Sequence, residues 1–145
     1  MMTTRSMDIL LVEDNPGDVR LTREAFAEGP FAVNLSVVSN GVEALTFLRR
    51  ERPYTNAPRP EIVLLDLNLP CVDGRQVLAQ LKADQRLRCI PVVILTTSKA
   101  EADITQTYDL HANCYIAKPV DLEQFFTVVR GIEDFWLTTV TRPDA

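Results

Sequence analysis

Ile62-Val63-Leu64-Leu65-Asp66 sets four large aliphatic residues in a row directly ahead of a carboxylate. An unbroken aliphatic run, with no polar alternation, is the pattern of a strand covered on both faces. The pattern recurs along the chain. Ile9-Leu10-Leu11-Val12 runs into Glu13-Asp14, Val92-Val93-Ile94-Leu95 into Thr96, and Cys114-Tyr115-Ile116-Ala117 into Lys118-Pro119. Asn34–Val38 supplies one more strand. Between these runs lie stretches with apolar residues at helical spacing, and such alternation predicts a doubly wound α/β sandwich around a parallel sheet. Ligands of such sheets bind outside the carboxyl ends of the strands. Three acids, a hydroxyl and a lysine, far apart in sequence, are therefore expected at one rim.

The intervening segments read as helices with clear start and stop signals. Asn15-Pro16 opens the first, since proline suits a first turn whose N–H has no partner. Val19, Leu21, Ala25 and Phe26 form its expected apolar side, and Gly29-Pro30 stops it. Ser39-Asn40-Gly41 is a turn before a helix with Val42, Leu45 and Leu48 at helical spacing. Arg52–Pro60 carries too many breakers for regular structure and is expected to be a surface loop. Asp73-Gly74 leads into a helix with Val77, Leu78 and Leu81 inward. A weakly amphipathic helix is expected near Ala100–Leu110, and Asp121 is a suitable cap for a last helix from Leu122 to about Leu137. The whole chain, 1–145, is expected to form one domain, with a core over about 7–137 and a tail over 138–145.

Composition fits that picture. The chain has 145 residues, 46% apolar and 24% charged, with a formal net charge of −5. These values exclude a disordered chain. No cluster of Lys and Arg forms a nucleic-acid footprint, so no nucleic-acid partner is expected. Arg49, Arg50, Arg52 and Arg59 surround the prolines of the loop and read as a solvated rim. Cys71, Cys89 and Cys114 lack metal-ligand spacing and read as reduced, partly buried thiols of a cytosolic protein. The first residues carry no apolar signal-peptide core, and no run reaches the length of a membrane span. No membrane association and a cytoplasmic location are the expectations.

Asp66 is the central candidate. A carboxylate ending a buried strand can attack phosphorus and form an acyl phosphate. Taken alone, it serves equally well as an acid capping the next turn. Glu13-Asp14 changes that balance, because three neighbouring carboxylates repel one another unless a cation sits among them. A hard divalent ion such as Mg²⁺, with Mn²⁺ as a substitute, suits that donor set, and the Asn68 backbone carbonyl is placed to add an oxygen. Taken alone, Glu13-Asp14 also fits an ordinary acid-enriched helix start. Lys118, closing a buried strand beside the acids, can pair with a carboxylate at rest and with a phosphoryl oxygen after transfer. A cis peptide before Pro119 would aim its amine inward. Thr96 offers a hydroxyl to a phosphoryl oxygen. Tyr115 reads equally as core packing or as a switching ring, and His111 as a solvated side chain.

These residues together resemble a bacterial response-regulator receiver domain over essentially the whole chain. The matching elements are Glu13-Asp14, the run Leu64 to Pro70 around Asp66, Asp73-Gly74, Thr96 and Lys118-Pro119. The resemblance implies a flavodoxin-like (βα)5 fold with five parallel strands and helices on both faces. It also implies Asp66 as phosphoacceptor, Glu13 and Asp14 as holders of Mg²⁺, Lys118 as a phosphoryl contact, and Thr96 with Tyr115 as a switch pair. Val12-Glu13-Asp14-Asn15-Pro16-Gly17-Asp18-Val19-Arg20, the proline-rich loop and the segment Phe135 to Pro143 are similar to small single-domain regulators of phytochrome-type histidine kinases, as in cyanobacteria. Glu13 departs from the commonest receiver pattern, which has aspartate there.

The implied function is phosphoryl transfer from a sensor histidine kinase to Asp66, with output through a downstream protein or self-association. Such a receiver is no enzyme, promoting only its own phosphorylation and dephosphorylation. The last helix carries an apolar arc of roughly 200°, wider than packing on one sheet requires. A symmetric homodimer using Phe126, Phe135, Trp136 and Val140 is expected from it, with a folded-back tail as the alternative. Three rivals remain: an aspartyl-nucleophile phosphatase, a flavin-binding module, and a receiver-like dimerisation or binding module that is never phosphorylated. Asn68 disfavours the first, standing where such enzymes want an acid. Glu13-Asp14 disfavours the second, because it would repel a phosphate.

Overall fold

A computed structural model describes residues 7–28, 32–70, 72–96 and 114–117, together with Glu123 and Thr127. Eight elements follow in chain order: β1 (Met7–Val12), α1 (Pro16–Glu28), β2 (Val33–Val38), α2 (Gly41–Leu48), β3 (Ile62–Leu65), α3 (Gly74–Ala83), β4 (Val92–Thr96) and β5 (Cys114–Ala117). The strands form one parallel sheet in the order β2-β1-β3-β4-β5. The chain therefore leaves β1 toward one edge and resumes at β3 on the other side. That reversal opens a crevice at the carboxyl ends of β1 and β3.

Side-chain alternation divides the sheet into two faces. Leu10, Val12, Val63, Leu65, Val92 and Ile94 pack with Ala44, Leu45, Phe47 and Leu48 of α2 and with Val77, Leu78 and Leu81 of α3. Met7, Ile9, Leu11, Ile62, Leu64, Val93 and Leu95 face the other way, against Phe26 of α1. Helices thus cover both faces, which is why β3 reads as an unbroken aliphatic run. Each fully buried Leu or Ile contributes about 1.5–3 kcal/mol relative to exposure. All four residues of β3 have no exposed surface.

Helix ends follow local chemistry. Asn15 caps α1, its Oδ1 accepting from the amides of Gly17 (2.9 Å) and Asp18 (3.1 Å). Asn40 caps α2 through the Glu43 amide at 2.8 Å. Asp73 and Gln76 form a reciprocal capping box at the start of α3. Arg50, with φ of 55°, turns the chain out of α2 in the left-handed conformation.

The loop after α2 has no helix or strand between Arg49 and Glu61, and the peptide bond before Pro53 is cis. It is nevertheless anchored. Tyr54 packs at a tilt against Phe47, with ring centroids 5.3 Å apart, and donates its hydroxyl to Glu43 Oε2 at 3.0 Å. Two residues of the expected basic rim are engaged: Arg49 donates to Gln80 and Arg59 to the Arg86 carbonyl. In the last turn of α3, Lys82 donates to the carbonyls of Arg88 (3.0 Å) and Ile90 (2.8 Å), tying the helix to the turn before β4. Burial pushes that ammonium below the usual lysine range.

Three sequence expectations require correction. Leu21 is not on the inward side of α1 but is 63% exposed; Phe26 and Ala25 carry that contact. Val42 is likewise 52% exposed, and Ala44, Leu45, Phe47 and Leu48 form the inner face of α2. Both residues shared a helical spacing with true core positions, yet the narrow stripe that meets the sheet passes beside them. Cys89 is an exposed thiol, not a partly buried one, because it sits in the turn before β4. The expected helices near Ala100–Leu110 and Leu122–Leu137 fall largely outside the described residues. Among the described residues, no helix is long and apolar enough to cross a membrane.

Candidate functional site

The reversal in strand order brings three carboxylates to one point. Glu13 and Asp14 follow β1 directly, and Asp66 follows β3, its neighbour in the sheet. Backbone bonds continue the sheet geometry past the strand ends. The Asp66 amide donates to the Val12 carbonyl at 3.1 Å, and the Glu13 amide to the Val38 carbonyl at 3.0 Å. Register thereby fixes where these side chains start.

One carboxylate oxygen from each of Glu13, Asp14 and Asp66 lies within 4.8 Å of the others. Among the described residues this is the one such cluster of potential metal ligands. Glu13 and Asp66 are buried, whereas Asp14 is exposed. The cluster therefore has a closed inner side and an outer side open to solvent. Glu13 Oε2 accepts a long bond from the Asn15 amide at 3.4 Å. Asp66 Oδ1 accepts from the Asn68 amide at 2.9 Å, which holds the carboxylate plane over the loop that follows. Hard oxygen donors gathered this closely are the donor set of a divalent cation such as Mg²⁺ or Mn²⁺. The residues present fit such an ion.

The remaining sequence candidates are located by their backbones or lie beyond description. Thr96 ends β4, and its backbone pairs with Ala117 of β5, the residue before Lys118. Tyr115 pairs with Ile94 in the same ladder. Both strands therefore finish at the rim where Asp66 stands. Lys118, the Pro119 peptide, Phe126, Phe135, Trp136 and Val140 lie outside the described residues.

Sequence reasoning missed two supports of the site. In the sequence Asn15 marks only a helix opening, although Asn before Pro-Gly-Asp is a strong N-cap signal. In the sequence Gly74 marks a helix start and part of the receiver pattern, and the structure adds that it packs against the backbone of Asp66 and Leu67. No sequence signal distinguishes a glycine chosen for close approach from one chosen for a turn.

Comparison with known proteins agrees with this geometry. Residues 9–130 match the response regulator receiver domain. The chain belongs to that family. Response regulator Rcp1 of Synechocystis is 48% identical over 137 residues, covering 94% of this chain and 93% of Rcp1. The crystal structure of the phosphorylated cyanobacterial phytochrome response regulator RcpA superimposes with a TM-score of 0.82 at 51% identity, covering 97% of this chain and 100% of that one. The Mn²⁺-bound form of Rcp1 gives 0.80 at 47% identity, covering 95% and 99%. The receiver described here thus shares its fold and nearly its full length with single regulators of this kind. As a receiver, it has a signalling role. Its flavodoxin-like parallel sheet is the family's fold.

Proposed function

We propose that this receiver accepts a phosphoryl group on Asp66 from the phosphohistidine of a sensor kinase, and that the kinase is phytochrome-type. One observation carries the residue-level reading: Asp66 ends β3 within 4.8 Å of the carboxylates of Glu13 and Asp14. The phytochrome pairing draws support from the likeness to RcpA, a cyanobacterial phytochrome response regulator. The expected location is the cytoplasm.

In the proposed reaction an Asp66 carboxylate oxygen attacks phosphorus, the P–N bond to imidazole breaks, and an acyl phosphate forms. Glu13, Asp14 and Asp66 would hold a divalent ion, with the Asn68 carbonyl adding an oxygen. Such an ion supplies positive charge to the oxygens of the transferring group. Burial of Glu13 and Asp66 keeps the inner side of the site dry, while the exposed Asp14 side admits the donor. The Asn68 amide bond fixes the rotamer of the nucleophile before the donor arrives. Lys118 and Thr96 are assigned to the phosphoryl oxygens, and Tyr115 to the conformational response. Water attack on the acyl phosphate resets the signal. Output passes to a downstream protein, and the C-terminal segment carrying Phe126, Phe135, Trp136 and Val140 is assigned to a homodimer. The whole chain acts as one domain, turning over no substrate beyond its own phosphoryl group.

Incubation with Mg²⁺ and acetyl phosphate, followed by intact mass and peptide mapping, tests this reading. A single phosphoryl group on the peptide containing Asp66, absent without Mg²⁺, is the expected result. Label on another residue, or none in wild type, overturns it.

A further inference from the structure

Two glycines begin helices that press on one loop, and they touch different parts of it. A Cβ added to Gly74 would collide with the Asp66 carbonyl oxygen and lie 2.6 Å from Leu67 Cα and 3.1 Å from the Asp66 carbonyl carbon. A Cβ on Gly41 would collide with the Val72 carbonyl oxygen and lie 2.7 Å from Val72 Cβ and 2.9 Å from Val77 Cγ2. The obstruction at Gly74 is entirely backbone, so no side-chain rotation relieves it. Both glycines are buried, and neither has a positive φ. Their requirement is for space and not for backbone conformation.

We infer that Gly74 is a positioning residue for the Asp66 carboxylate. This rests on the proposed role of Asp66 and deepens it. The Gly74 amide donates to the Leu67 carbonyl at 3.0 Å, so α3 is bonded as well as packed against the peptide that follows Asp66. The capping box holds that first turn: Asp73 Oδ1 accepts from the Arg75 amide at 2.8 Å, and the Asp73 amide donates to Gln76 Oε1 at 3.2 Å. On its other side the Asp66 amide is fixed to Val12 in the sheet. The Asp66 peptide is therefore held between β1 and the start of α3. A methyl group at Gly74 displaces the Asp66–Leu67 unit outward. It carries with it the Asp66 Oδ1–Asn68 amide bond and the Asn68 carbonyl assigned to the ion. The same methyl at Gly41 strains Val72, beyond the acidic cluster.

The pair supplies its own control. Gly74→Ala and Gly41→Ala are each expected to lower the unfolding midpoint by several degrees. Only Gly74→Ala is expected to weaken Mn²⁺ binding, measured calorimetrically on the full chain, by about tenfold or more. Its initial rate of phosphorylation by acetyl phosphate should fall by a similar factor. Gly41→Ala should stay within about twofold of wild type in both measurements. Gly74→Ala that is folded and binds Mn²⁺ like wild type overturns the inference. Equal losses in both variants also overturn it, since the effect would then follow stability and not position. Should Gly74→Ala fail to fold even with trimethylamine oxide present, Asp73→Ala loosens the same turn while leaving the glycine in place. It is expected to weaken Mn²⁺ binding about two- to fivefold, and unchanged binding overturns the inference. Wild type that takes no phosphoryl group at Asp66 defeats the proposed function instead, a result distinct from any outcome of the glycine pair.

Discussion

Two of the regions in which this receiver places carboxylates in polar company are organised oppositely. At the start of α2, the single Glu43 carboxylate collects donors. Ser39 Oγ lies at 2.7 Å, Asn40 Nδ2 at 2.9 Å and the Tyr54 hydroxyl at 3.0 Å. At the ends of β1 and β3, three carboxylates share one small volume. The first arrangement consumes acceptor capacity and ties a loop to a helix. The second concentrates negative charge where the fold has brought strand ends together. An acid surrounded by donors builds structure, whereas acids gathered at one point form a donor set for a cation.

The largest expected contrast is in chemistry. Asp66→Asn should abolish phosphorylation by acetyl phosphate, read as loss of the phosphoryl mass, whereas Glu43→Gln should leave it unchanged. Asp66→Asn should also raise the melting temperature in EDTA, because it removes like-charge repulsion. Mg²⁺ should stabilise wild type more than this variant, by up to about 1.4 kcal/mol when free ion is tenfold above the wild-type dissociation constant. Equal melting curves for the two proteins in EDTA would break the picture of a shared carboxylate volume.

Next in size is metal affinity. Asp14→Asn should weaken Mg²⁺ binding by about tenfold or more, with little loss of stability, since Asp14 is exposed. Tyr54→Phe should do the reverse: about 1 kcal/mol of stability lost in denaturant titration, with metal affinity unchanged. If Tyr54→Phe altered Mg²⁺ affinity, the two regions would be coupled and the contrast between them would fail.

A pH titration sharpens the comparison further. The Ser39 hydrogen bond, ahead of that from Tyr54, holds the Glu43 carboxyl below its ordinary value of 4.5. A carboxyl lowered by folding adds stability that is present above 4.5 and lost as pH falls through the folded value. The stability difference between wild type and Glu43→Gln should therefore be flat near neutrality and shrink only below about 4.5. A difference that kept its full size into more acidic solution would contradict the donor arrangement. The smallest effect belongs to the exposed face of α1. Leu21→Ser should change stability by no more than about 0.5 kcal/mol, the mark of a surface position.

The acidic region was legible in the sequence and the Glu43 region was not, for a physical reason. Aliphatic runs ending in Glu13-Asp14 and Asp66 announce both the buried strands and the rim on which they end, because strand burial leaves a contiguous mark. The Glu43 contacts depend on how an irregular, proline-interrupted loop returns Tyr54 to the start of α2. No periodicity encodes that return. Leu21 and Val42 depart from expectation because spacing specifies a helical side but not the width of the stripe that meets the sheet. Gly74 was visible as a residue and silent as a contact, since a missing methyl leaves no trace until a neighbouring peptide occupies its place.

Strand β3 has one more implication. Ile62–Leu65 is clasped by both helical layers without exposed surface, and closely packed interiors do not yield gradually. The dianionic adduct proposed at its tip would not be absorbed by recoil along the strand. The disturbance would turn outward, into the connecting segments at that end of the sheet, so that a rigid interior would carry the signal to the surface.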